Sequence, residues 1–185
     1  MNKVIAIVGM AGSGKSEVTR EFEKTGYKRI RFGDITDLEI KRRGLKLDEK
    51  NERFIREMLR EEHGMAAYAL LNLPKITESL ERSSVVIDGL YSWEEFKLLK
   101  ERLINELIIL AVYASPKTRY KRLLGRRERN LDLGDAQRRD AAEIEKINKG
   151  GPIAMADFTV VNDTSLVDLL SKTREIIDLI EGQRA

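Results

Sequence analysis

The chain opens on Lys3–Val8, an apolar, largely β-branched run closed by Gly9. That pattern predicts a strand buried on both faces of a parallel sheet. A glycine-rich stretch, Gly9–Gly14, follows. From Lys15 to Lys24 the apolar positions Val18 and Phe22 recur at helical spacing, and Gly26 is placed to end the helix. Tyr27–Phe32 reads as a second strand. Residues 36–82 read as two or three helices, one of them with Phe54, Ile55, Met58 and Leu59 on a single stripe. Ser84–Ile87 is a third strand ending at Asp88. Ser92 and Glu95 have capping-box spacing before a helix whose buried side is Phe96, Leu99 and Leu103. Leu107–Ala114 is a fourth strand, and Ser115-Pro116 caps the helix after it. Ala156–Val161 is a short fifth strand. The last helix has Leu166, Leu169, Leu170, Thr173, Ile176, Ile177 and Ile180 at 3.6-residue spacing, with Ser165 and Asp168 at its start.

Strand and helix alternating five times predict an α/β fold: a five-stranded parallel sheet with helices on both faces. Such sheets bind ligands beyond the carboxyl ends of their strands. Gly9, Gly33, Asp88 and Ser115 all fall there, so four separate segments surround one site. With 185 residues and 42% apolar side chains, the chain is long and greasy enough for one cored domain. It has no cysteine, which excludes disulfides, thiolate catalysis and thiolate metal sites. Its single histidine, His63, excludes a multi-histidine metal site and reads as a helix-end residue before Gly64. No apolar run approaches the ~18 residues of a membrane span, and a secretory leader pattern is absent; a soluble, cytoplasmic protein is expected.

Residues 9–16 read Gly-Met-Ala-Gly-Ser-Gly-Lys-Ser and match the G-x-x-x-x-G-K-[ST] phosphate loop. Glycines at Gly9, Gly12 and Gly14 let the backbone turn its N–H groups around phosphate oxygens, with Met10, Ala11 and Ser13 supplying the rest of the cradle. The helix from Lys15 aims its positive end at the same place. Lys15 would reach the β- and γ-phosphates and Ser16 would ligate Mg²⁺. Asp88, closing its strand, sits where an acid would orient a water on that metal. The glycine spacing does not match the dinucleotide fingerprint G-x-G-x-x-G, which disfavours NAD.

The net charge of +3 is local in origin. Six basic residues and one acid lie between Arg119 and Arg129; the rest of the chain, with 28 basic and 30 acidic residues, is slightly negative. Arg119, Arg122, Arg126, Arg127 and Arg129 cluster, and Arg138 and Arg139 follow beyond Asn130–Gly134, a short polar stretch suited to a flap. Arg122 and Arg126 are four apart and so share a helix face. Guanidiniums bind phosphate oxygens bidentately and offset charge as a phosphoryl group transfers. A solvated basic face and a nucleic-acid patch are the competing readings; few aromatic residues are interleaved here, which speaks against RNA.

These residues resemble a known group. The phosphate loop, Asp88-Gly89 and Arg122-Leu-Leu-Gly-Arg126 are similar to the nucleoside monophosphate kinases. Ala156-Asp-Phe-Thr-Val-Val-Asn162-Asp-Thr-Ser-Leu resembles a segment of dephospho-CoA kinases. Over nearly its full length the chain looks like archaeal-type adenylate-kinase-related and dephospho-CoA-kinase-like proteins. The resemblance implies a P-loop NTPase three-layer sandwich, an acceptor-binding helical region near residues 34–75 and a lid near 126–139. It also implies that Asn162 lines the adenine pocket, that Arg122 flanks the adenine and that Arg126 contacts phosphates. The sequence departs from adenylate kinases at two acceptor-phosphate arginines: Gly33-Asp34 is followed by Asp37, and Asp88-Gly89 by Leu90-Tyr91-Ser92. Arg56 or Arg60 would have to supply them.

The expectation is an ATP- and Mg²⁺-dependent kinase for a small nucleotide-type acceptor. Lys15, Arg126 and Arg138 or Arg139 would stabilise the transferring phosphoryl. Asp34 would bind the acceptor or, for a dephospho-CoA-type hydroxyl, take its proton; as a structural alternative it caps a helix. A different class, an ATPase switch acting with RNA or a protein partner, shares the same loop. Its GTPase form is weakened because Asn148-Lys149-Gly150-Gly151 lacks the Asp of a guanine-specific motif.

Overall fold

The computed structural model describes residues 2–125 and 132–182. Five strands, β1 (Val4–Val8), β2 (Lys28–Arg31), β3 (Val85–Asp88), β4 (Leu107–Tyr113) and β5 (Phe158–Val161), form one sheet in the order β2-β3-β1-β4-β5. Every neighbouring pair is parallel. The register sets Ile7 of β1 beside Asp88 of β3 and beside Leu110 of β4.

Alternation along each strand divides the core in two. Val4, Ala6 and Val8, Val85 and Ile87, and Leu107, Ile109 and Ala111 face one layer. Ile5 and Ile7, Val86, and Leu110 and Val112 face the other. Because both faces are covered, the strands read as unbroken apolar runs rather than as alternating ones. The second face is covered by α1 (Lys15–Lys24) and α9 (Leu166–Gly182), through Val18, Phe22, Leu169, Ile177 and Ile180. The first carries α4 (Ala67–Leu80), α5 (Trp93–Arg102) and α8 (Gly150–Ala154), with α2 (Asp34–Arg42) and α3 (Glu49–His63) packed outside α4. α6 (Pro116–Leu124) and α7 (Leu133–Glu145) sit together beside the glycine loop.

The caps agree with the sequence. Ser92 Oγ accepts from Glu95 N at 3.0 Å, and the Glu95 carboxylate accepts from Ser92 N at 3.2 Å. Ser115 caps α6, and Ser165 and Asp168 close a reciprocal box at α9. His63 ends α3, with Gly64 following at φ 78°.

Several expectations need correction. β2 and β5 are shorter than expected; Tyr27 and Phe32, both buried, flank β2, and Phe32 N donates to Asp88 O at 3.0 Å just past its end. Ala156-Asp157 precedes β5; Asp157 accepts from Ile109 N at 2.7 Å and so anchors the strand's entry. Ile55 and Leu59 are buried, but Phe54 of the same stripe is half exposed, since α3 meets α2 and α4 through its Ile55 and Leu59 side. Leu166 is likewise exposed at the first turn of α9. Asp34 is not a cap: Gly33 holds that position with no side-chain bond, and Asp34 begins α2. α6 ends at Leu124; Arg126, expected on the helix face of Arg122, lies outside the described residues, as do Arg127, Arg129 and Asn130.

Candidate active site

The loop between β1 and α1 lies at the carboxyl edge of the sheet. Its conformation depends on glycine at three points, Gly9 (φ 144°), Gly12 and Gly14. Gly12 has φ 80°, and a Cβ there would lie 2.8 Å from the Arg119 carbonyl oxygen. Gly14 has φ 104°, and a Cβ there would collide with Asn162 Nδ2. L-residues reach such φ values only with strain.

Side chains then tie down the loop's carbonyl oxygens. Lys15 Nζ donates to Gly9 O at 2.8 Å and to Met10 O at 3.0 Å. Arg119 Nη1 donates to Ala11 O at 3.1 Å, and Asn162 Nδ2 to Ser13 O at 2.7 Å. The first N–H groups of α1 have no intrahelical acceptor. A loop with its carbonyls bound and the head of a helix behind it has the polarity an anion needs. Two further polar atoms fit the same ligand: Ser13 Oγ and Arg122 Nη1 are buried without a hydrogen-bond partner. A cleft of about 410 Å³ runs from the loop past Lys15, Ser16, Arg122 and Asn162 to Leu166 and Leu169 of α9. Its polar floor and apolar far wall suit a polyphosphate with a flat base attached.

Burial, and next the nearby Lys149 ammonium, push the Lys15 pKa down to about 7; the carboxylates of Glu143 and Asp88 oppose this. Lys149 is buried at 2% exposure, pairs with Glu143 at 2.6 Å and lies 5.2 Å from the centre of the Tyr91 ring. Glu143 also accepts from Arg139 at 3.0 Å. Burial alone would raise the Glu143 carboxyl, but Lys149 and Arg139 hold it at about 2. Burial and the adjacent Asp88 raise the Tyr91 phenol well above its ordinary range.

The other sequence-derived candidates divide. Asp88 closes β3, where Arg29 donates to its carboxylate at 2.5 Å. Ser16 is exposed in the first turn of α1. Asp34 and Asp37 both accept from Arg31, at 3.0 and 2.6 Å. Arg122 and Asn162 meet directly, Nη2 donating to Oδ1 at 3.2 Å. Arg139 belongs to the charge cluster around Lys15. Arg138 points to solvent and pairs with Asp135 on its own helix. Arg56 is spent on Glu49 and Glu52, whereas the Arg60 guanidinium lies 5.6 Å over the Tyr68 ring.

Sequence reasoning did not single out Arg119, Asp140, Glu143, Lys149 or Tyr91. Arg119 was counted only as one basic residue among several. Its partner is 21 positions away, across a segment with no periodicity to link them. Lys149 carries one local sign, the unusual left-handed backbone of Asn148 (φ 50°) beside Gly150-Gly151, but sequence does not report φ.

The AAA domain family model matches residues 5–146. The UPF0200 protein of Thermococcus onnurineus is 36% identical over 181 residues, covering 96% of this chain and 97% of the relative. That of Methanococcus maripaludis is 35% identical over 172 residues, covering 91% and 92%. Among solved structures, the chain is similar to TT1252 from Thermus thermophilus, with TM-score 0.71, 18% identity and 97% of each chain covered. It is also similar to shikimate kinase from Acinetobacter baumannii in complex with shikimate, with TM-score 0.59, 16% identity and 99% and 95% covered. For dephospho-CoA kinase from Campylobacter jejuni the TM-score is 0.54, at 16% identity and 97% of each chain. The likeness is one of fold: a parallel sheet and glycine loop arranged as in P-loop kinases. Among the described residues, no helix is long and apolar enough to cross a membrane.

Proposed function

The chain belongs to the UPF0200 family, and we propose that it moves the γ-phosphoryl group of ATP to a small nucleotide-type acceptor. The observation that carries this reading is the loop itself: four of its carbonyls are tied by side chains, and buried polar atoms beside it lack partners. In this reading residues 1–185 form one kinase domain, with acceptor-binding helices near 34–75 and a lid near 126–139. Lys15 leaves the loop carbonyls to hold the β- and γ-phosphates. Arg122 flanks the adenine, against Leu166 and Leu169. Ser16 and Asp88 hold Mg²⁺, which when bound neutralises charge on the phosphate oxygens. Arg139, released from Glu143, and Arg126 add cations to the transferring group.

A second reading has a hydroxyl acceptor, with Asp34 taking its proton. It is favoured by the carboxylate pair Asp34 and Asp37 gathered by Arg31 at the head of α2. Two proteins of similar fold, a shikimate kinase and a dephospho-CoA kinase, support the same reading.

The test is an acceptor screen with purified protein, Mg²⁺ and ATP. AMP, CMP, UMP, GMP, dTMP and dephospho-CoA are offered, and ADP and phosphorylated product are both read. A phosphorylated nucleotide supports the first reading and leaves Asp34 a binding role. Transfer to dephospho-CoA alone supports the second. ADP release without transfer to any of them favours an ATPase switch or an acceptor outside this set.

A further inference from the structure

Two side chains from outside the glycine loop reach its backbone. Asn162, 4% exposed at the end of β5, donates from Nδ2 to Ser13 O at 2.7 Å and accepts at Oδ1 from Arg122 Nη2 at 3.2 Å. The donor and acceptor on either side fix which way the amide lies. Both of its functional ends are therefore engaged within the protein. Arg119, 4% exposed on α6, makes more bonds still. Its Nη1 donates to Ala11 O at 3.1 Å and to Asp140 Oδ1 at 2.9 Å; Nη2 donates to Asp140 Oδ2 at 2.5 Å, and Nε to Ala114 O at 3.2 Å. Tyr120 Oη donates to the same carboxylate at 3.0 Å. Ala11 packs beside this network, in a small apolar cluster with Leu123 and Ala136.

The physical consequence concerns polarity. A peptide unit turned with its carbonyl toward an anion repels it; turned the other way, its N–H attracts it. Of the loop carbonyls that Lys15 does not reach, those of Ala11 and Ser13 are bound by Arg119 and Asn162. We propose that Arg119 and Asn162 are positioning residues that hold the Ala11 and Ser13 carbonyls out of the phosphate cradle, so that they tune the affinity for the polyphosphate chain rather than recognition of the base. This gives Asn162 a task different from lining an adenine pocket. It also gives Gly14 a second reason to lack a side chain, since a Cβ would displace the Asn162 amide. The proposal rests on the reading of the loop as a polyphosphate site.

Calorimetric titration of the full chain with inorganic tripolyphosphate, ATP and GTP tests it. The variants are Asn162→Leu and Arg119→Lys. The lysine keeps a cation for Asp140 but cannot fork between that carboxylate and Ala11. Each variant loses a buried bond, so about a tenfold weaker binding is expected, equal for tripolyphosphate and ATP. The ratio of ATP to GTP affinity stays as in the wild type. Circular dichroism melts establish that each variant is folded at the titration temperature; if one is not, the other decides. Unchanged tripolyphosphate affinity overturns the proposal, as does a changed ATP-to-GTP ratio with tripolyphosphate unaffected, which would make Asn162 a base contact. If wild-type protein binds neither tripolyphosphate nor ATP, the loop reading itself fails, a result distinct from those.

Discussion

The Lys15 ammonium is shared between two carbonyl oxygens at the start of the glycine loop. That arrangement is electrically poor. Burial comes first and Lys149 second in bringing its pKa down to about 7, with Arg139 adding to the effect. A polyphosphate would restore the charged form. Binding above neutrality therefore takes up a proton, and affinity falls as pH rises through about 7, by up to about tenfold per pH unit. At about pH 8, the heat of ATP binding is expected to depend on the ionisation enthalpy of the buffer. In Lys15→Met that dependence disappears along with most of the affinity. Heats that do not vary with buffer in the wild type would show that Lys15 is already charged.

At the scale of an element, α5 shows how a local signal acquires a tertiary task. The box formed by Ser92 and Glu95 is legible from spacing alone. What spacing does not reveal is that Ser92 Oγ also donates to Met65 O at 2.8 Å, joining α5 to the turn between α3 and α4. Ser92→Ala thus removes a cap and leaves the part-buried Met65 carbonyl without this bond, a loss of about 1–3 kcal/mol. Urea unfolding should register it as a lower midpoint with an unchanged slope. A loss below about 0.5 kcal/mol would mean that water replaces both bonds. The arginine segment teaches the opposite lesson. Of its residues, Arg119 is a buried structural fork and Arg122 a neighbour of Asn162, so proximity along the chain conceals different environments.

For the whole molecule, the sheet brings β1, β3, β4 and β5 to one edge, and the loop draws its supports from α1, α6 and the end of β5. Ligand binding there should therefore stabilise the fold as a unit. With ATP at about a hundred times its dissociation constant, the gain is about 2.7 kcal/mol. For a chain of this size that raises the melting temperature by about 5–10 °C, followed by scanning fluorimetry. Lys15→Ala should abolish the shift. A wild-type melt that ATP does not move at saturation would contradict nucleotide binding at this site.

The order of the five strands, the caps at Ser92, Ser115 and Ser165 and the identity of the loop were determined by the sequence alone, because each is written in short-range terms: apolar period, capping spacing and glycines in a fixed register; α7 and α8 carry no such pattern and are not predicted by it. The buried partners were decided only in three dimensions. Phe54 shares its helical stripe with Ile55 yet is half exposed, because α2 and α4 cover the Ile55 side of α3 and leave Phe54 outside the core. Arg119 finds Asp140, Asn162 finds Ser13, and Lys149 comes to face Lys15 through the stacking order β3-β1-β4-β5, which hydrophobic periodicity does not encode. A charge shows in sequence as its sign; whether it serves as clamp, pin or solvated surface depends on what the fold sets within about 3 Å of it.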